Sequence, residues 1–189
     1  MKNKKILIGV CGGIAAYKVC SLVNLFKKEG ATVKVMMTKA ATNFVALLTF
    51  QSLTENLVYQ DMFDLIEEGE IEHISLAKWA DVIVLAPATA NTIGKIALGI
   101  ADDLVTTTII ALPRETPVIV APAMNTNMWQ NPIVQKNIKL LEGIKREKGS
   151  DKYIVVGPGK GKLACGDEGE GVLIDLKQII KTTKEVLKK

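Results

Sequence analysis

Apolar positions along this chain follow two periods, and the switching between them lays out the fold. Short runs that are apolar at nearly every position, such as Ile6-Leu7-Ile8-Gly9-Val10, Val82-Ile83-Val84-Leu85-Ala86 and Val118-Ile119-Val120-Ala121, read as strands covered on both faces. Between them, apolar residues recur at helical spacing. The first strand, 5–10, is followed by a helix over 15–29 with Ala15, Ala16, Val19, Leu22, Val23 and Phe26 on one side. Gly30 ends that helix as a C′ residue. The pattern then predicts a strand over 32–37, a helix over 43–52 and an acidic loop over 60–72. A short helix over 73–80 leads into a strand over 81–87, helices over 90–99 and 103–111, and the strand 117–121. A helix over 132–142, a charged flexible segment over 143–151 and a last strand over 153–156 come next. The chain finishes in an amphipathic helix over 175–187, N-capped by Asp175, with Leu176, Ile179, Ile180, Val186 and Leu187 inward. Strand-helix alternation of this kind predicts one α/β domain spanning 1–189: a three-layer α/β/α, doubly wound, Rossmann- or flavodoxin-like parallel sheet.

Composition narrows the class. With 48% hydrophobic and 23% charged residues in 189, the chain has the make-up of a globular domain able to bury a sizeable core. Apolar runs are broken by Pro, Gly or charge well short of a membrane span, so no membrane partner is expected. The N-terminus is basic then apolar, but it leads into a Gly pair and a helix rather than a cleavage site, which favours a cytoplasmic protein. Three cysteines, Cys11, Cys20 and Cys165, match neither a disulfide framework nor a zinc site, and no metal is expected. The net charge of +4 is spread out, with no basic stripe interleaved with aromatics. Nucleic acid is thereby disfavoured, while an anionic small ligand remains compatible.

Four segments carry candidate chemistry. Pro122-Ala123-Met124-Asn125-Thr126-Asn127-Met128-Trp129 follows a buried strand and sets an amide, two thioethers and an indole at the carboxyl edge of the sheet, where ligands bind in open α/β folds. The first βα turn, Cys11-Gly12-Gly13-Ile14, brings backbone N–H groups to a helix N-terminus, a phosphate-binding arrangement. It is not the dinucleotide fingerprint, and the second strand ends in Thr38-Lys39 rather than an acidic ribose ligand, so a mononucleotide or other phosphorylated ligand is favoured. Ala86-Pro87-Ala88-Thr89-Ala90-Asn91-Thr92 and Gly99-Ile100-Ala101-Asp102-Asp103 offer helix caps that also serve as ligand contacts. His73, the one histidine, has an ordinary pKa suited to proton transfer. Cys165 lies in a Gly-rich stretch, 158–172, with the composition of a mobile active-site flap. Cys11 and Cys20 read as filler.

Together these segments resemble the flavin-dependent cysteine decarboxylase family from end to end. The likeness is carried by Gly12-Gly13-Ile14-Ala15-Ala16-Tyr17-Lys18, His73-Ile74-Ser75-Leu76-Ala77, Ala86 to Thr92, Pro122 to Trp129 and Leu163-Ala164-Cys165-Gly166. It is strongest with the branch that acts on 4′-phosphopantothenoyl-L-cysteine in coenzyme A synthesis. The resemblance implies FMN as cofactor. Its phosphate would lie near Gly12, Gly13, Ile14, Thr38 and Lys39, and its ring near Thr89, Asn91, Thr92, Asp102 and Met124. The resemblance makes His73 the base, has Asn125 orient the substrate carboxylate with Met128 and Ala164 alongside, and makes Cys165 the final proton donor. A cysteine carboxylate cannot simply lose CO2, because the resulting carbanion is not delocalised. Oxidation to a thioaldehyde provides the sink, and re-reduction of the enethiolate yields 4′-phosphopantetheine.

Peptide-cysteine decarboxylases of the same fold stop at the enethiol and lack the Cys-bearing loop, so Cys165 favours the full cycle. A flavin prenyltransferase and a non-catalytic FMN-binding regulator are the other readings, disfavoured by the set His73, Asn125 and Cys165. The resemblance further implies a homotrimer sharing FMN and substrate between subunits. It also implies a separate phosphopantothenate-cysteine ligase, since the chain ends where relatives carry a ligase domain. One departure stands out: Gly171-Val172 occupies the place of the family's frequent Gly-Arg.

Overall fold

The computed structural model describes residues 1–62, 71–164 and 166–188. Its frame is a six-stranded, fully parallel sheet. The strands are β1 (Lys5–Val10), β2 (Thr32–Met37), β3 (Val58–Tyr59), β4 (Val82–Ala88), β5 (Val118–Pro122) and β6 (Tyr153–Val155). Their spatial order is β3-β2-β1-β4-β5-β6, so the winding direction reverses between β1 and β4. The carboxyl edge at that switch point is where an open α/β sheet leaves a crevice.

Eight α-helices accompany the strands among the described residues: α1 (Ala16–Lys28), α2 (Leu47–Thr54), α3 (Glu72–Trp79), α4 (Ala90–Leu98), α5 (Leu104–Ile110), α6 (Thr126–Gln130), α7 (Pro132–Glu142) and α8 (Leu176–Val186). Alternating strand side chains feed two cores. On one face Ile6, Ile8, Val33, Val35, Val82 and Val84 pack with Leu22 and Phe26 of α1, Phe50 of α2 and Ile179 of α8. On the other, Leu7, Met36, Ile83, Leu85 and Val120 meet Leu76 of α3, Ile93 of α4, Val105 of α5 and Ile138 of α7. The three-layer expectation holds. Among the described residues no helix is long and apolar enough to cross a membrane.

The differences from the sequence reading have local causes. The helix expected over 43–52 is α2, beginning only at Leu47 and running to Thr54; it is preceded by a 3-10 turn over Lys39–Asn43, which the Thr38 hydroxyl caps by accepting the Ala41 N–H at 3.3 Å. The two-residue β3 and the five-residue α6 are too short to show a period. The acidic segment 60–72 is described only at its ends, with Glu72 already opening α3; residues 63–70 lie outside the described residues. The stretch 143–151 is not a loose tether but a closed turn. Arg146 N–H donates to the Ser150 carbonyl at 2.8 Å, Lys145 pairs with Asp151, and Arg146 is buried.

The Gly-rich segment forms a second, antiparallel sheet of two strands, β7 (Gly159–Lys162) and β8 (Glu168–Val172). Alternating Gly hid this hairpin from a hydrophobic pattern. It packs against α6 and hydrogen-bonds the end of β5, with the Met124 N–H donating to the Gly171 carbonyl at 2.9 Å.

Candidate active site

A cleft of about 970 Å³ opens at the carboxyl edge of β1, β2, β4 and β5, roofed by the β7–β8 hairpin. Its volume suits a cofactor and a substrate together.

One end is built for an anion. Helix α1 has Ala15 at its N-cap, no side-chain cap and no acidic residue in its first turn; the Ala16 and Lys18 N–H groups donate to the Gly13 and Ala15 carbonyls at 2.9 and 3.0 Å, and the positive end of the helix is left open to an anion. The turn before it is tight, with Gly13 N–H donating to the Cys11 carbonyl at 3.0 Å. A Cβ on Gly12 would stand 2.4 Å from the Ala40 Cβ, so only Gly lets this turn close against the Thr38–Ala40 segment. Lys18 and Lys39 add positive charge at the same wall. Donors and charge here fit a phosphate.

The middle of the cleft is the start of α4. Thr89 caps the helix, accepting the Thr92 N–H at 3.3 Å, and the two hydroxyls lie 3.1 Å apart. Beneath them the fully buried Cys11 thiol takes the Thr92 side chain and the Thr89 backbone as hydrogen-bond partners. Burial outweighs those bonds and pushes the thiol up to about 11, so Cys11 is a neutral floor to the site. Asn91 is exposed at the same wall. Lys95 is held by Asp102 at 2.6 Å and Asp103 at 3.2 Å, and these bonds to Asp102 first keep the ammonium pKa raised. Asp102 is held below the usual carboxylate range by the Lys95 hydrogen bond and does not line the cleft; Asp103 and Lys95 do. The sequence signal for Asp103 was its cap spacing to Thr106, which the structure realises as a capping box.

The far end carries Ala123, Met124, Asn125 and Met128. Asn125 N-caps α6, its Oδ1 accepting the Asn127 N–H at 2.8 Å, which fixes the amide at the cleft wall. Met128 is exposed, whereas Met124 and Trp129 pack partly against the core rather than forming an open apolar edge. The hairpin contributes Lys162, Leu163, Ala164, Gly171 and Val172. Val172 reaches across the hairpin, its Cγ2 lying 3.2 Å from where a Gly159 Cβ would sit; Lys162 is the cation the hairpin brings to the cleft. Cys165 lies outside the described residues.

His73 is placed elsewhere. It lies in the first turn of α3 on the α5 side of the sheet, is half-buried, and does not line the cleft of its own chain. Its Nδ1 is buried without a hydrogen-bond partner.

Twelve of the sequence-derived positions thus converge, and the match to known proteins covers the same span: Gly12, Gly13, Ile14, Thr38, Lys39, Thr89, Asn91, Thr92, Met124, Asn125, Met128 and Ala164 line the cleft, and residues 1–188 match the Flavoprotein family model. The chain belongs to the Flavoprotein family. Its cofactor is a flavin, and the uncapped α1 N-terminus with Lys18 and Lys39 beside it fits the phosphate of one. This flavoprotein is 46% identical over 185 residues to the probable phosphopantothenoylcysteine decarboxylase of Streptococcus mutans, covering 98% of this chain and 99% of that one. It is 45% identical to the coenzyme A biosynthesis bifunctional protein CoaBC of Bacillus subtilis, spanning 98% of this chain but only 43% of the relative. Among solved structures, a PPC decarboxylase cysteine-to-serine mutant complexed with pantothenoylaminoethenethiol superimposes with a TM-score of 0.85 at 32% identity, covering 100% of both chains. The FMN binding protein AtHal3 gives a TM-score of 0.80 at 33% identity over 97% of this chain and 96% of that one.

Proposed function

We propose that this flavoprotein is an FMN-dependent carboxy-lyase that converts 4′-phosphopantothenoyl-L-cysteine to 4′-phosphopantetheine. The observation that carries the reading is the layout of one cleft, with an uncapped helix N-terminus at one end and an oriented amide under a hairpin at the other. Similarity to the Streptococcus mutans protein over nearly the full length of both chains supports it.

In this reading Gly12, Gly13, Ile14, Thr38 and Lys39 hold the FMN phosphate, and Thr89, Asn91, Thr92 and Met124 border the ring. The flavin, when bound, supplies the two-electron acceptor and donor that lets a saturated carbon lose CO2. Asn125 donates from its amide NH2 to the substrate carboxylate while its Oδ1 stays in the α6 cap, so the carboxylate is oriented without a competing charge. Met128 and Ala164 flank the substrate, and the hairpin excludes water. Asp102 acts indirectly, through Lys95, by fixing the cleft wall that Asp103 shares. Cys165 donates the last proton.

His73 is the base, and because it stands outside its own chain's cleft, the reading requires a homotrimer in which it faces the cleft of a neighbour. Substrate comes from a separate phosphopantothenate-cysteine ligase, and the enzyme works in the cytoplasm.

The test is a mass spectrum of the product formed from 4′-phosphopantothenoyl-L-cysteine by the FMN-loaded protein. Loss of CO2 alone, giving the thiol, supports the full cycle. Unchanged substrate with FMN bound overturns it. Cys165→Ser is expected to release CO2 yet accumulate enethiol; normal thiol product from that variant removes Cys165 from the mechanism. A peptide with a C-terminal cysteine, run in parallel, separates this reading from peptide decarboxylation.

A further inference from the structure

The cations of the cleft differ in what already holds them. Among the described residues Lys18, Lys39, Lys95 and Lys162 line it, and Asp103 is the carboxylate that does. Lys95 is engaged by Asp102 and Asp103, and Lys18 and Lys39 stand at the wall beside the α1 N-terminus. Lys162 belongs to the hairpin, in the β7–β8 pair nearest its tip, opposite Glu168. It is exposed, and among the described residues its ammonium has no ion-pair or hydrogen-bond partner. Glu168 is exposed too, but it forms no ion pair with Lys162 and does not line the cleft. The backbone that carries Lys162 is held: just beyond it the Leu163 N–H donates to the Asp167 carbonyl at 2.8 Å, and the hairpin docks on the main domain through the Gly171 carbonyl. The root of the side chain is fixed and its charged end is open.

A flavin phosphate and a phosphorylated substrate would bring two anions into one cleft. Like charges close together in a partly desolvated site repel, so each needs donors of its own. The α1 end, with Lys18 and Lys39, serves the first. Among the described lining residues Lys162 is then the cation that is both unpaired and away from α1. We propose that Lys162 is a specificity-determining residue, its ammonium holding the phosphate monoester of the substrate while Asn125 orients the carboxylate at the reacting end. The inference rests on the substrate proposed above and deepens it. A lysine suits this task, being a compact point charge on a flexible stem that can follow the end of a long ligand. An unphosphorylated substrate leaves the ammonium in water at little loss, whereas the phosphorylated one gains a charge-assisted hydrogen bond, so discrimination comes from this one contact.

The test compares kcat/KM of the FMN-loaded protein for 4′-phosphopantothenoyl-L-cysteine and for unphosphorylated pantothenoyl-L-cysteine. The parent is expected to prefer the phosphorylated substrate, and Lys162→Gln to cut that preference about ten- to a hundredfold. The loss should fall on the phosphorylated substrate, and Lys162→Arg should retain the preference. Lys160→Gln is the control, the same charge change on the same strand at a position that does not line the cleft, and it should retain the preference. A parent that turns over both substrates equally well overturns the proposal and leaves the decarboxylase reading in place. So does an equal loss on both substrates in Lys162→Gln, which would put the lysine on the carboxylate they share or on the fold. An equal fall in preference in Lys160→Gln also overturns it, since the effect would then belong to the hairpin's overall charge. A parent that turns over neither substrate sinks the reading itself, and the proposal with it.

Discussion

Replacing Gly171 by Ala tests whether the hairpin must dock on the end of β5 for catalysis. Gly171 has φ +147°, and a Cβ there would stand 2.1 Å from the Met124 carbonyl oxygen, a backbone atom. An ordinary C···O approach is about 3.3 Å, so the hairpin must retreat by about 1 Å. That movement breaks the bond from Met124 N–H to the Gly171 carbonyl. A lost bond with its donor left unsatisfied costs about 1–3 kcal/mol, and forcing a side chain into this backbone region costs about 1–3 kcal/mol more, so docking is opposed by about 2–6 kcal/mol. Because β7 and β8 form a sheet of their own, the penalty falls on docking rather than on the main sheet. Expected outcomes are a Tm within a few degrees of the parent and unchanged flavin binding. The Met124 amide should lose hydrogen-exchange protection, and kcat should fall about a hundredfold, as a misplacement of about 1 Å produces. Gly161→Ala is the control: its Cβ would meet the Val172 methyls at 3.7 and 3.8 Å, ordinary contact, and activity should be kept. Parental kcat and a protected Met124 amide in Gly171→Ala would refute the reasoning.

Other expectations follow from the same geometry. Asn125→Asp keeps the oxygen that caps α6 but replaces the amide NH2 with charge, so turnover should drop about a hundredfold with the flavin still bound; a variant with normal turnover would remove Asn125 from the proposed contact with a substrate carboxylate. The Cys11 thiol, raised to about 11 by burial, should resist iodoacetamide in the native protein at pH 8 and react after unfolding, read by peptide mapping. Lys152 has a folded pKa of about 8, below its unfolded value of about 10.4, so the unfolded chain binds the extra proton between them. Its contribution to stability therefore rises with pH across that window and is lost as pH falls through about 8; denaturant melts of parent and Lys152→Met should diverge there, and parallel curves would contradict the assignment.

What the sequence disclosed depended on whether the signal was local. The strands 5–10 and 32–37 come out at their observed bounds because each apolar run is flanked by charge or Gly. The Asp175 cap was legible for a similar reason, its side chain accepting the Lys177 N–H at 2.7 Å. The cleft residues on the Gly turn, on α4 and after β5 were legible because all sit at strand ends, and strand ends share one edge in a parallel sheet. Features set by tertiary contact were not. Whether Asp102 or Asp103 faces the cleft is decided by how Lys95 bridges them, which spacing does not encode. The placement of His73 outside its own chain's cleft depends on α3 packing beside α5. The β7–β8 pairing rests on glycines whose role is to admit Thr126 and the Met124 carbonyl, neighbours distant in sequence.

The anchoring of the hairpin has a consequence for evolvability. The chain enters it just after β6, where Val156 N–H is tied to the Val120 carbonyl at 2.8 Å, and leaves it at Leu173, which is buried in the core beneath α8. Both ends are thus clamped by the main domain, while the segment between them shares no strand with the main sheet. Core substitutions that raise the melting temperature leave the hairpin's own contacts untouched, and substitutions within the hairpin alter the cleft wall with little loss of fold. Stability and specificity are therefore separable traits in this chain, each free to drift under its own selection.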